Sequence, residues 1–158
     1  MWSRYGSFIS SDNIMATALF PGSFDPFTAG HEAIARRVLP LFDRLVIAVG
    51  VNSDKHCMFT PEERVEIIQR TLSDCPTVEV VSYSGMTIDL CHQVGARCIV
   101  RGIRTSKDFE YEQLIASVNR RQDPSIETLL VMADAEHQNI SSTLERERLI
   151  HQCSSPTT

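Results

Sequence analysis

The residues from Pro21 to His31 read Pro-Gly-Ser-Phe-Asp-Pro-Phe-Thr-Ala-Gly-His and follow directly on an apolar run. Their types suit contact with phosphate. Gly22 lets backbone approach a ligand closely, Ser23 offers a hydroxyl, and Gly30 opens a helical pattern whose positive N-terminal end favours an anion. His31 falls in the first turn of that helix, where an imidazole can donate a hydrogen bond to a phosphoryl oxygen that gains charge in a transition state. The segment matches neither GxGxxG nor GxxxxGK(S/T), so the usual dinucleotide and P-loop fingerprints do not apply. Three cations stand elsewhere in predicted loops or at strand ends: Lys55, Arg101 and Arg104. A transfer between two phosphate-bearing molecules needs cations to offset their repulsion and donors aimed at the developing charge, with little covalent work for the protein. His31, Lys55, Arg101 and Arg104 supply that set. An acceptor phosphate, ionised at neutral pH, needs no strong general base, so no Ser/His/Asp nucleophile arrangement is called for.

Each of these residues has a plainer competing role. Arg101 and Arg104 could form surface ion pairs with Asp108 and Glu112, and Glu112 could face water. Lys55 could be a solvated loop lysine. Thr87, Ser141 and Ser142 are helix-cap types, although a cap at a helix start is compatible with phosphate binding there.

The elements that must position these side chains alternate strictly. Short β-rich runs at residues 16–20, 44–51, 78–83, 97–100 and 127–132 are separated by helical patterns at 30–39, 61–72, 87–94 and 108–121, with a last helix at 143–152. The Leu-Val-Ile-Ala-Val-Gly-Val run from Leu45 is too continuously apolar for a sheet with one wet face. Thr60-Pro61-Glu62-Glu63 predicts a capping box with proline at the first helical position, and Ser142-Thr143-Leu144-Glu145 repeats the box without proline. Gly95 predicts a helix C-terminus. Such alternation implies right-handed crossovers and an α/β, doubly wound, Rossmann-like parallel sheet of about five strands, with ligands beyond the carboxyl ends of the strands.

A chain of 158 residues is long enough for one domain with its own core. The net charge of −5, with no basic stripe, predicts no nucleic-acid partner, and no apolar run approaches a membrane span. Five cysteines, odd in number and without CxxC spacing, together with five scattered histidines, predict neither a disulfide framework nor a structural metal, and point to the cytoplasm. Residues 1–14 read as an N-terminal extension, disordered or a start-site artefact ahead of Met15, with the domain over 15–158.

Thr28-Ala29-Gly30-His31 resembles the T/HxGH motif of the nucleotidylyltransferase superfamily, and Ile140-Ser141-Ser142-Thr143-Leu144-Glu145-Arg146 resembles its ISSTxxR motif. The chain is similar to the bacterial phosphopantetheine adenylyltransferases through GSFDPFTAGH, through Lys55 followed by Met58 to Arg64 (MFTPEER), and through Arg101-Gly102-Ile103-Arg104 followed by Asp108-Phe109-Glu110-Tyr111-Glu112. The resemblance implies transfer of an adenylyl group from ATP to 4′-phosphopantetheine, giving dephospho-coenzyme A and pyrophosphate with Mg2+ assisting, in a homo-oligomer that is a hexamer in the family. It implies that Ser23, where relatives more often carry threonine, touches both ATP and the acceptor phosphate, and that Phe24 lines the nucleotide site through its backbone. His31 would steady the α-phosphate. Lys55 and Arg101 would hold the acceptor's phosphate end, and Thr87 would line the pantetheine site. Gly102, Ile103, Arg104 and Glu112 would bind the nucleotide, as would His137, Gln138, Asn139, Ile140, Ser141, Ser142 and Thr143. His137-Gln138-Asn139 departs from the aromatic that relatives often carry there, and the chain after Arg146 is shorter than in longer relatives. Rival readings are another phosphorylated acceptor such as nicotinate mononucleotide, cytidylyl transfer from CTP, and a non-catalytic nucleotide-binding regulator.

Overall fold

A computed structural model describes residues 16–137 and 141–153. In chain order the elements are β1 (Thr17–Gly22), α1 (Ala29–Val38), a 3-10 turn (Leu39–Leu41), β2 (Arg44–Gly50), α2 (Pro61–Thr71), β3 (Val78–Tyr83), α3 (Thr87–Val94), β4 (Ala96–Ile103), α4 (Ser106–Gln122), β5 (Glu127–Met132), a second 3-10 turn (Ala135–His137) and α5 (Ser142–Cys153). The five strands form one all-parallel sheet in the order β3-β2-β1-β4-β5. Strand order therefore reverses at β1, the position at which a doubly wound sheet opens a crevice.

Both faces of the sheet are buried, which explains the unbroken apolar runs. Ala18 and Phe20 of β1, with Leu45, Ile47 and Val49 of β2, pack on Ile34, Ala35 and Val38 of α1, on Ile68 of α2 and on Leu72, which follows it. Leu19, Val46 and Ala48 point the other way, against Ile88, Leu90 and Cys91 of α3. The period of two in the strands and of three to four in the helices thus closes one core on each side. The predicted caps form where expected in two places. Thr60 accepts from the Glu63 amide at 3.2 Å while the Glu63 carboxylate accepts from the Thr60 amide at 2.8 Å, and Gly95 ends α3 at φ +72°.

Several boundaries differ from the sequence reading, each for a physical reason. β1 runs two residues further than 16–20, through Pro21 to Gly22, because the β1–β2 ladder continues to Gly22↔Val49. On its other side the β1–β4 ladder stops at Leu19↔Ile99, and the two strands part there. A proline amide has no hydrogen to donate, so Pro21 suits that one-sided position. β4 continues past residue 100 to Ile103, with Arg101, Gly102 and Ile103 paired to Leu130, Val131 and Met132. α4 begins at Ser106 rather than 108, because Thr105 is its cap and Asp108 the third helical residue, with the two side chains bonded reciprocally to the amides at 3.2 and 3.1 Å. At α5 the cap is one residue earlier than the predicted box: Ser141 Oγ accepts from the Leu144 amide at 3.2 Å, and Glu145 pairs instead with Arg148.

Candidate active site

The site grows from the parting of β1 and β4. Beyond Leu19 and Ile99 the gap between the strands is filled by the Arg101 side chain, whose Nη1 donates to the Pro21 carbonyl at 2.6 Å. Its Nε and Nη2 donate to the two carboxylate oxygens of Glu112 on α4, at 2.8 and 2.6 Å. Glu112 is buried, and the fork-on-carboxylate geometry fixes the guanidinium plane. The ion pair between Arg101 and Glu112 considered from sequence is therefore present, but it is an interior clamp across the site and not a surface bridge. Arg104 lies 3.7 Å from Asp108, which also accepts from the Arg104 amide at 3.0 Å.

The turn after β1 is held from several directions. Phe24 adopts φ +48°, a left-handed conformation that costs a non-glycine residue about 1–3 kcal/mol. Its ring is buried edge-on against Phe20, Phe27 and His31, with centroids 5.1–5.3 Å apart, and this packing offsets the cost. A side chain at Gly22 would come within 2.8 Å of that ring. The glycine thus makes room for Phe24 inside the turn. Asp25, buried, accepts from the amides of Met58 and Phe59 at 2.8 and 2.9 Å and so ties this turn to the segment before α2. Arg146 of α5 donates to the Asp25 carbonyl at 2.5 Å, and Ser142 Oγ donates to that of Pro26 at 3.0 Å.

His31 is the third residue of α1. The Thr28 amide donates to its Nδ1 at 3.0 Å, while the His31 amide donates back to Thr28 Oγ1 at 3.4 Å. An amide can only donate, so Nδ1 is an acceptor and the hydrogen of the neutral ring sits on Nε2. The ring stacks on Phe27 at a centroid distance of 5.5 Å. Burial, followed by the positive charges of Arg104 and Arg101, holds its pKa down to about 4. At neutral pH His31 is therefore an uncharged donor of fixed tautomer.

These residues line two adjoining cavities. One, of about 360 Å3, is walled by Phe24, His31, Gly102, Arg104, Glu112, His137, Ser141, Ser142 and Thr143. The other, of about 330 Å3, is walled by Lys55 and Thr87, with Gly50, Asn52 and Asn119. Pro21, Gly22, Ser23, Arg101 and Tyr111 line both. Thr87 does not cap its helix; its hydroxyl lies 3.1 Å from that of Tyr83. Ile103 lines neither cavity: it is buried, and its carbonyl accepts from the Ala133 amide at 2.8 Å. Gln138, Asn139 and Ile140 lie outside the described residues. Nδ1 of His137 is buried with no hydrogen-bond partner among the described residues. Among the described residues no group of three or more His, Cys, Asp or Glu side chains comes together to hold a metal ion. No described helix is long and apolar enough to cross a membrane.

Sequence reasoning missed Asp25, Arg64 and Arg146 as parts of this framework. Asp25 carried one readable signal, an acidic side chain between a glycine turn and a proline, a pattern that often bonds backbone amides. The partners of Arg64 and Arg146 lie far along the chain, where no local pattern reaches.

The model of the cytidylyltransferase-like family matches residues 19–148. The phosphopantetheine adenylyltransferase of Leuconostoc citreum is 50% identical over 133 residues, covering 84% of this chain and 84% of that protein. The phosphopantetheine adenylyltransferase of Flavobacterium psychrophilum is 49% identical over 133 residues, covering 84% of this chain and 87% of that protein. Among solved structures, a bifunctional NMN adenylyltransferase/ADP ribose pyrophosphatase from Francisella tularensis superposes with a TM-score of 0.67 at 19% identity, over 88% of this chain and 43% of that one, a likeness of fold alone.

Proposed function

The chain belongs to the cytidylyltransferase-like family and, within it, to the phosphopantetheine adenylyltransferases, and we propose that it transfers an adenylyl group from ATP to 4′-phosphopantetheine, releasing pyrophosphate. The observation that carries this reading is the pair of cavities sharing one wall, at which Ser23 and Arg101, its guanidinium clamped by Glu112, line both spaces. Two substrates filling the two cavities would bring their phosphates together at that wall, which is what an in-line displacement needs.

In this reading ATP occupies the larger cavity, with Gly102, Arg104, His137, Ser141, Ser142 and Thr143 around it and its α-phosphate at His31 and Ser23. The acceptor enters past Thr87 and leaves its phosphate between Lys55 and Arg101. An acceptor oxygen attacks the α-phosphorus, and the bond to the β-phosphate oxygen breaks. As charge builds on the five-coordinate phosphorus, the Nε2 hydrogen of His31 donates to one of its oxygens. A neutral imidazole with its tautomer already set needs no rearrangement at that moment. Mg2+ arrives bound to the triphosphate and is part of the substrate, in keeping with its preference for phosphate oxygens and water over an all-protein cage. The assembly expected is a homo-oligomer, a hexamer as in the resembling family, and the compartment expected is the cytoplasm.

Purified protein supplied with ATP, Mg2+ and either 4′-phosphopantetheine or nicotinate mononucleotide tests the substrate. Pyrophosphate should appear with the first acceptor. Release only with the second would overturn the acceptor, and tight ATP binding without release would favour a regulator.

A further inference from the structure

Arg64, in the second turn of α2, is only 2% exposed. Burying a cation is costly unless a carboxylate or several dipoles answer it. Among the described residues no carboxylate pairs with it. Its partners are main-chain carbonyls: Nη1 donates to Ser23 at 2.6 Å and to Gly50 at 3.2 Å, and Nε donates to Thr60 at 3.4 Å. An apolar side chain of similar length would fill the same space without the desolvation cost, so packing alone does not account for a charge here. The carbonyls themselves point to its role. Ser23 lines both cavities and Gly50 lines the smaller one. Ser23 directly follows β1 and Gly50 ends β2, so the two carbonyls stand side by side at the carboxyl ends of these paired neighbours, on the rim of the smaller cavity.

We propose that Arg64 is a positioning residue for the acceptor: it clamps the Ser23 and Gly50 carbonyls to fix the mouth of the smaller cavity, and its charge, offset only by carbonyls, adds to the field that holds the acceptor's phosphate there. This rests on the acceptor occupying the smaller cavity. It assigns to the interior of the protein a cation that complements Lys55, which is exposed at the cavity's rim. Arg64 does not touch the substrate in this account. It acts through the turn that does.

The test compares Arg64→Met, which keeps a stem and removes charge and fork, with Arg64→Lys, which keeps the charge and loses the fork, in the full chain. Calorimetric binding of ATP and of 4′-phosphopantetheine is measured separately for each, alongside thermal melting and the two KM values. The expected result is acceptor binding weakened roughly tenfold or more in Arg64→Met, ATP binding changed less than about threefold, and acceptor binding partly regained in Arg64→Lys, as befits a charge-assisted contact. A lowered melting temperature with both affinities unchanged would make Arg64 merely structural and overturn the proposal. Equal weakening of both ligands would overturn it too, as would Arg64→Lys binding no better than Arg64→Met. Should Arg64→Met not fold, Arg64→Lys decides alone: its acceptor binding must fall selectively. Wild-type protein that binds the acceptor but turns over only another substrate would defeat the functional reading and leave the Arg64 contrast readable. Wild-type protein that binds no 4′-phosphopantetheine would defeat both.

Discussion

At His31, two amide hydrogen bonds and two aromatic rings determine what an imidazole can do. Nδ1 is occupied by the Thr28 amide, the ring packs against Phe24 and Phe27, and the pKa lies near 4. His31→Ala should leave the fold intact by circular dichroism and lower kcat by about 10²–10³-fold, the usual loss for one transition-state donor. The same shift has two consequences for pH. The ring stays uncharged through mild acid, so the rate should show no histidine limb near pH 6.5, and any change caused by its protonation should appear only near pH 4. For stability, the folded-state pKa lies below that of the unfolded chain, so the unfolded chain takes up the proton first as pH falls. Wild type should therefore lose at most about 3 kcal/mol relative to His31→Ala between pH 6.5 and about 4, and no more below that, which denaturant titrations at several pH values would register. The residue types in this turn were legible in the sequence as phosphate chemistry. The tautomer was not, because it depends on which atom of a neighbour the ring reaches.

Among the elements, the link between β4 and α4 organises the site. Arg101 on β4 and Glu112 on α4 hold each other in a bidentate pair, and Pro21 of β1 receives the remaining bond. Glu112→Gln should lower stability by about 2 kcal/mol, less than the cost of breaking a fully buried pair because the Arg101 side chain keeps 27% of its exposure. It should also raise KM for the acceptor as Arg101 loses its fixed plane. Thermal melts and initial rates with each substrate varied in turn would separate the two effects; an unchanged acceptor KM would mean that Arg101 needs no such support. At α5 the cap belongs to Ser141, so Ser141→Ala should cost about 1 kcal/mol while Ser142→Ala should not weaken the cap, a contrast measurable by chemical denaturation. The strands, the Thr60 box and the Gly95 stop were readable because each is a local pattern. β4 was read three residues short at its carboxyl end because an arginine looks like a strand's end until Glu112, eleven positions on, is known to pair with it. Arg64 and Arg146 were invisible as supports of the turn after β1 for the same reason: the carbonyls they hold there, of Ser23 and Asp25, lie 41 and 121 residues away.

For the whole molecule, five parallel strands bring together residues from the ends of β1, β2 and β4, from α1, α4 and α5, and from the loops between them, so that no short stretch carries the site alone. The net charge of −5 sits beside a cavity wall built on Arg101 with Arg104 and Lys55 at its flanks. Local cations, not the overall charge, must therefore receive anionic substrates. Along α4, Tyr111, Leu114 and Val118 are 61%, 60% and 39% exposed, an apolar strip that copies of this chain in a homo-oligomer would cover. Light scattering on purified protein should give the mass of six chains; the mass of one chain would contradict that assembly.

At the wall shared by the two cavities, the acceptor's own phosphate attacks the α-phosphorus of ATP. Acceptor prepared with heavy oxygen on its phosphate, turned over with unlabelled ATP and followed by mass spectrometry, reads the broken bond directly. All of the label should be retained in the dephospho-coenzyme A product and none should enter pyrophosphate. Label in the pyrophosphate, or an acceptor phosphate that has lost oxygen, would contradict it.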